Sequence, residues 1–326
     1  MNRKKKIFLF SLLIFMMAGF LCILAGCKRS STGIKTVQLS PAEQAAQKIS
    51  GYSNPDAVIS VYELNDMIND PNLVILDARG GTSRTLKAIL AEGYLPGAIQ
   101  IIASHYQDPA RWNSIAPAKY IERYLRELGL DNYSKIVIYG NDNCLQGRVY
   151  WMLKMYGCDN EVKILDGGFE KWQEAGLQEN IAKPTKLPRS NFGFNPVKED
   201  LSFKTDLKEM GAVVGSNDPN NIIVDARPNN DYLSGHIPSS VNISINDILN
   251  DDKTFKTAQE LADIFTSRGV TQNKNVYVYS TQGEESSLVW YVLHELMGYP
   301  SVKNYYGGFR EWNYRERPLE KGGASA

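Results

Sequence analysis

The sequence predicts an α/β protein made of two tandem copies of one unit, each a parallel sheet with helices on both faces. Three observations carry this. The chain repeats itself: Val74-Ile75-Leu76-Asp77-Ala78-Arg79 returns as Ile222-Ile223-Val224-Asp225-Ala226-Arg227, and Ile136-Val137-Ile138-Tyr139 as Val276-Tyr277-Val278-Tyr279. Gly167-Gly168-Phe169 with Trp172 returns as Gly307-Gly308-Phe309 with Trp312, roughly 140 residues on, which is the length of a whole domain. Short β-branched runs alternate with stretches of helical apolar spacing, the order of a parallel sheet with right-handed crossovers. The runs Leu73 to Leu76 and Ile136 to Tyr139 are apolar on both faces, as strands covered on both sides must be.

Taken in order, residues 1–27 read as an address. Arg3, Lys4, Lys5 and Lys6 precede an apolar run from Ile7 to Leu24, interrupted by Ser11, Gly19 and Cys22, and Ala25-Gly26 lead to Cys27. This is the layout of a secretory signal. Leu24-Ala25-Gly26-Cys27 resembles the bacterial lipobox, in which the cysteine is lipidated and becomes the mature N-terminus. An uncleaved membrane-spanning helix is the alternative, the run being just long enough; the small residues before Cys27 favour lipidation. Either way the remainder is expected outside the cytoplasm at a membrane, lipid-anchored through Cys27.

Residues 28–50 read as a polar tether and a short helix, opened by Ser40-Pro41-Ala42-Glu43 with its capping residue, first-turn proline and acid. The first unit spans 51–180, an extended linker rich in proline (Pro184, Pro188, Pro196) spans 181–200, the second unit spans 201–320, and 321–326 is a frayed tail. Helices are predicted from Gly147 to Tyr156 and from Ser286 to Met297. In such sheets ligands bind where strands end and helices begin, which points to the loops 140–146 and 280–286.

Composition excludes some functions. Formal net charge is +0 and no basic stripe interleaves with aromatics, so nucleic acid is not an expected partner. His105, His236 and His294 show no metal-ligand spacing, and neither metal nor cofactor is expected. With Cys22 in the signal and Cys27 lipidated, Cys144 and Cys158 are the remaining thiols. A helix of about ten residues between them holds them roughly 15 Å apart, beyond the reach of a disulfide.

The ordered set of strand-Asp-Ala-Arg, Gly235-His236-Ile237-Pro238, strand-Tyr-loop-helix and Gly-Gly-Phe-x-x-Trp resembles the rhodanese domain. Two copies in tandem resemble the thiosulfate and 3-mercaptopyruvate sulfurtransferases. The resemblance implies a cysteine directly after the second unit's strand, in a loop whose backbone N–H groups and following helix N-terminus stabilise its thiolate. That thiolate attacks the donor's sulfane sulfur and is left as a persulfide. Here the loop is Ser280-Thr281-Gln282-Gly283-Glu284-Glu285-Ser286. Gly283 and Ser286 match the substrate-cradling pattern, but Ser280 holds the nucleophile position, and oxygen cannot carry a persulfide. Glu284 and Glu285 set negative charge where an anionic donor would dock.

In the first unit Gly140 takes the aligned position, while Cys144 sits in the same loop with Arg148 about one turn on, a candidate for a displaced nucleophile with its thiol activated; the alternative, and the favoured one, is an incidental loop thiol. Arg227 matches the family's anion-binding arginine and Arg79 is its counterpart; the alternative for each is an ion pair inside its own unit. Asp77, Asp225 and His236 are read as structural, and Trp172 and Trp312 as core.

The expectation is an extracytoplasmic, lipid-anchored, sulfurtransferase-like protein whose sulfur transfer is lost, weak or dependent on Cys144, with a small sulfur-containing anion or a thiol as partner. The alternative is a non-catalytic module binding an anion or a protein on the same scaffold. A hydrolase built on Ser280 is disfavoured, since the turn lacks a Gly-x-Ser-x-Gly pattern and no histidine is evidently placed to activate the hydroxyl.

Overall fold

The structure, a computed structural model, describes residues 38–80, 93–112, 114–141, 144–179 and 188–322. The expected signal with Cys27, the first part of the linker and most of the expected tail lie outside the described residues. The first half contains β1 (Val58–Ile59), β2 (Leu73–Asp77), β3 (Ile99–Gln100), an antiparallel ribbon of β4 (Gln107–Asp108) and β5 (Ser114–Ile115), then β6 (Lys135–Tyr139) and β7 (Val162–Leu165). The second half contains β8 (Lys204–Thr205), β9 (Asn221–Asp225), β10 (Ser240–Asn242), β11 (Asn275–Tyr279) and β12 (Val302–Tyr305). Both main sheets are parallel, in the orders β1-β7-β6-β2-β3 and β10-β9-β11-β12-β8. Reversing the second order superimposes the two: β2 answers to β9 and β6 to β11, so the sequence repeat is a repeat of topology.

Alternation along the strands divides the core. Val74 and Leu76 of β2 and Ile222 and Val224 of β9 face one apolar cluster shared by both halves. Ile75 and Ile223, between them, face separate clusters on the outer sides, which hold Trp172 and Trp312. The shared cluster is built around two repeat-equivalent helices, Leu145–Met155 and Glu284–Tyr291. They meet so closely at Gly147 that a Cβ there would lie 2.6 Å from the Leu288 Cα. Tyr150 and Tyr291 cross edge to face at 4.7 Å in the same contact. Residues Leu39–Ala326 form one compact unit on this seam.

The Pro41–Ser50 helix begins as its sequence predicts, with Ser40 and Glu43 in a reciprocal capping box. It also straps the halves together: Lys48 Nζ pairs with Asp166 Oδ2 of the first at 2.5 Å and donates to the Phe255 carbonyl of the second at 3.1 Å.

Two expectations need correction. The second long helix is α-helical only to Tyr291 and continues as a π turn over Val292–Leu296. The wider turn carries Glu295 inward, where its Oε2 accepts from Asn54 Nδ2 at 2.7 Å, and lets the His294 ring stack on Trp290 at 4.7 Å. The linker carries no helix from Pro188 to Asn195 but turns into a 3-10 helix over Pro196–Lys198, and it packs on the first half. Phe192 is fully buried, and its carbonyl accepts from Arg126 Nε at 2.5 Å. Phe194 packs near Tyr156 at 5.5 Å and its N–H donates to Glu122 Oε1 at 3.0 Å, so aromatic and backbone contacts together dock that segment on the first half.

Candidate functional site

Each half keeps its Asp-Ala-Arg motif as a buried clasp. The Arg227 backbone N–H and Nε donate to Asp225 Oδ1 at 2.9 and 3.0 Å, and Nη2 reaches Oδ2 at 2.6 Å. Nη2 also donates to the Gly235 carbonyl at 2.8 Å, and the guanidinium lies 3.8 Å over the Phe309 ring. Arg79 repeats the pattern on Asp77, with Nε to Oδ1 at 3.0 Å, Nη2 to Oδ2 at 2.8 Å and Phe169 at 4.2 Å. The Tyr279 hydroxyl donates to Asp225 Oδ2 at 2.5 Å; burial, with the Asp225 charge beside it, keeps that phenol protonated. Both guanidinium groups are buried and engaged by the carboxylate two residues before, the ion pair inside its own unit that the sequence offered as the alternative for Arg227 and Arg79. Sequence reasoning missed Tyr139 and Tyr279 as members of this arrangement, although their recurrence at the end of each strand was a usable signal. His236 is likewise structural, its Nδ1 2.9 Å from the Tyr232 carbonyl and its ring stacked on Tyr232.

The Gly-Gly-Phe repeat closes the loop that follows β11. Gly308, at φ 62°, lies so near that a Cβ would stand 2.4 Å from the Ser280 carbonyl oxygen. The Phe309 and Arg310 N–H groups donate to the Ser280 and Thr281 carbonyls at 2.8 and 3.1 Å. Gly168 packs against the Gly140 carbonyl in the same way, 2.8 Å from a built Cβ. Two motifs far apart in sequence thus shape each candidate loop.

Ser280 itself is fully buried. Its Oγ accepts the Gly283 N–H at 2.9 Å and donates to Ser286 Oγ at 3.3 Å. Ser286 Oγ donates to Asn304 Oδ1 at 2.7 Å, Asn304 Nδ2 to Ser287 Oγ at 2.7 Å, and Ser287 Oγ to the Gly283 carbonyl at 2.5 Å. This is a closed chain of hydroxyl and amide groups, in which every step satisfies a buried donor. The structure brings Ser280, Gly283 and Ser286 together with Ser287 and Asn304.

Arg148, expected beside the Cys144 thiol, sends its Nη1 across the seam to the Gly283 carbonyl at 3.3 Å and Ser287 Oγ at 3.4 Å. It is fully buried, and burial pushes its guanidinium below the ordinary range, opposed chiefly by the Glu284 carboxylate. One of the two acids of the loop is therefore matched to a cation supplied by the other half. Cys144 is the N-cap of the Leu145–Met155 helix, in the left-handed region at φ 56°, and is 1 % exposed. It walls a recess of about 30 Å³ with Gln146, Phe255 and Leu288. Cys158 is a separate, packed thiol, its Sγ donating to Asn160 Oδ1 at 3.4 Å, and burial pushes it up to about 11.

Next to the recess, and sharing Ile245, Leu249 and Lys253 with it, lies a cleft of about 380 Å³ whose wall includes Ala226 and Glu285. It sits at the C-terminal ends of β9 and β11, where an open α/β sheet presents its ligand site.

The rhodanese-like domain family model matches the chain twice, over residues 60–175 and 211–315. The chain is 29% identical over 289 residues to the sulfur carrier protein TtuD of Thermus thermophilus, covering 83% of this chain and 99% of that protein. It is 30% identical over 253 residues to the protein of Saccharopolyspora erythraea named "Putative thiosulfate sulfurtransferase", covering 71% and 87%. Among solved structures it is similar to an anaerobic ergothioneine biosynthesis enzyme from Chlorobium limicola, with a TM-score of 0.72 at 22% identity over 84% of this chain and 72% of that one. That last likeness concerns the fold.

Proposed function

The chain belongs to the rhodanese-like domain family, as a sulfurtransferase-like protein with two such domains in tandem, and from that premise we propose a membrane-anchored, extracytoplasmic member that binds at its cleft and passes no sulfur through residue 280. One observation carries the reading: the Gly283 N–H that would face a reactive thiolate instead donates to the Ser280 hydroxyl, within a network that ends on Arg148. A hydroxyl has neither the acidity nor the valence chemistry to hold a persulfide. The anchoring part rests on the basic start, the apolar run and Leu24-Ala25-Gly26-Cys27.

The test is sulfur transfer to cyanide from thiosulfate and from 3-mercaptopyruvate, using the full chain in detergent. The expected result is no turnover above the uncatalysed reaction. A second reading has an observation in its favour, since Cys144 walls the recess that adjoins the cleft. Turnover that disappears in Cys144→Ser would replace the proposal with a displaced nucleophile. Turnover gained by Ser280→Cys would show a working cradle that lacks only sulfur, consistent with the proposal. Labelled fatty acid incorporated by the wild type and lost in Cys27→Ala would support the anchor; label retained by the variant would refute it.

A further inference from the structure

The recess beside Cys144 is covered from the other half of the molecule. Residues 249–255 turn back on themselves through an antiparallel Leu249–Phe255 bridge, with the Asn250 N–H donating to the Thr254 carbonyl at 2.8 Å and Lys253 left-handed at φ 64°. Leu249, Lys253 and Phe255 of this hairpin wall the recess, and Leu249 and Lys253 also wall the cleft of about 380 Å³. The hairpin is thus a partition between the two. Cys144 is 1 % exposed, and the recess of about 30 Å³ is the room of one water molecule. Anything larger has no space beside that thiol until a wall moves.

The hairpin is held on the first half at two points that differ in exposure. At its base the Phe255 N–H donates to the buried Asp166 Oδ1 at 2.7 Å, and Lys48 binds both Asp166 Oδ2 and the Phe255 carbonyl. At its tip Asp252 Oδ2 pairs with Lys171 Nζ at 2.6 Å, the two side chains being 34 % and 27 % exposed. A pair that wet is open to competition from water and salt. The ribbon at the same point of the other repeat, β4–β5, meets the second half through Trp112 and Tyr314 at 4.9 Å, an aromatic contact that salt does not screen.

We propose that residues 249–255 are a lid with an ionic latch, Lys171–Asp252, whose release lifts the tip off the first half, joins the recess to the cleft and exposes the Cys144 thiol. The base at Phe255 stays fixed, because its partner Asp166 is buried and held by Lys48. The inference goes beyond the binding reading and does not depend on turnover: the lid decides when Cys144 meets any molecule larger than water.

The test is the alkylation rate of Cys144 by N-ethylmaleimide, a neutral reagent, in the folded full chain in detergent, read peptide by peptide with Cys158 as internal control. Wild-type Cys144 should react roughly a hundredfold more slowly than in the chain unfolded by denaturant. Lys171→Met and Asp252→Asn should each speed Cys144 about twofold to fivefold, the worth of a partly exposed ion pair, and leave Cys158 unchanged. Lys171 also meets Glu174, and Asp252 also holds Thr254, so the two variants disturb different second contacts and share only the latch. The double variant should therefore add little to either single one. Salt at about 1 M, where the screening length is about 3 Å, should speed Cys144 in the wild type and not in the variants. Wild-type Cys144 reacting as fast as in denaturant, no acceleration in either variant, or equal acceleration of Cys144 and Cys158 would overturn the proposal; the last would mean a general loss of stability. If a variant shows no cooperative melting transition, the salt dependence of Cys144 against Cys158 in the wild type decides.

Discussion

Arg148 of the first half donates through Nη1 to the carbonyl oxygen of Gly283 in the second, 3.3 Å away. This contact joins the two loops that the repeat makes equivalent and uses them differently. In the first, the position aligned with Ser280 is Gly140, and a Cβ built there would fall 2.0 Å from Gln146 Oε1. The Gln146 side chain stands where a nucleophile would. In the second, the nucleophile position carries a hydroxyl tied to the loop's own backbone. Neither loop presents a thiol at the family position, and the polar capacity around them is directed toward the seam between halves.

The seam contact can be weighed. Arg148→Ala should destabilise the protein by about 3–5 kcal/mol, because it removes one member of a fully desolvated set and leaves a cavity. Glu284 faces that charge, so Arg148→Ala and Glu284→Ala should couple by at least about 1 kcal/mol in a double-mutant cycle of chemical denaturation. Strict additivity would mean that the two charges do not interact.

Arg227→Ala separates a structural clasp from a ligand-binding role. The guanidinium is 4 % exposed and held by both Asp225 oxygens, so its loss should cost about 3–5 kcal/mol of unfolding free energy. A variant that kept wild-type stability but lost ligand affinity would restore the anion-binding role.

Two glycines should respond with opposite sign. Gly308→Ala meets the Ser280 carbonyl at 2.4 Å in a left-handed conformation and should destabilise by about 2–4 kcal/mol. Gly211, in the Leu207–Ser216 helix with nothing within 4 Å of a built Cβ, should gain up to about 1 kcal/mol on replacement by alanine. Thermal melts of the two variants side by side check both.

Cys158 gives the protein an alkaline sensitivity. Burial raises its thiol from 9.0 to about 11, so the folded state holds that proton more tightly than the unfolded state does. The stability contributed is fully present below the unfolded value and is lost as pH rises through 9.0 towards about 11. Across that window the stability of the wild type relative to Cys158→Ala should fall by about 2–3 kcal/mol. A difference independent of pH would show that the thiol is not desolvated.

Much of the molecule was legible in the chain. The duplicated Val74–Arg79 and Ile222–Arg227 runs, apolar on both faces, demanded parallel strands covered by helices, and the repeat demanded that this happen twice. Ser280 after its strand was enough to remove persulfide chemistry from that position, because the argument depends on the element and not on its surroundings. Local spacing also predicted the capped helix at Ser40 and thiols at Cys144 and Cys158 that are not bridged.

What the sequence could not determine was direction. In sequence Arg227 was compatible with an anion in a cleft and with Asp225; in the fold its guanidinium bonds to both Asp225 oxygens and to the Gly235 carbonyl, under the Phe309 ring. Arg148 stands one turn from Cys144 in sequence, yet its Nη1 bonds to a carbonyl 135 residues away. The reason is physical. Backbone periodicity reports which face of a strand or helix is apolar, but a long charged side chain goes to whichever partners offset its desolvation. Those partners, the Gly283 carbonyl and Ser287 hydroxyl, come within its reach only when the two halves close on Gly147 and Leu288.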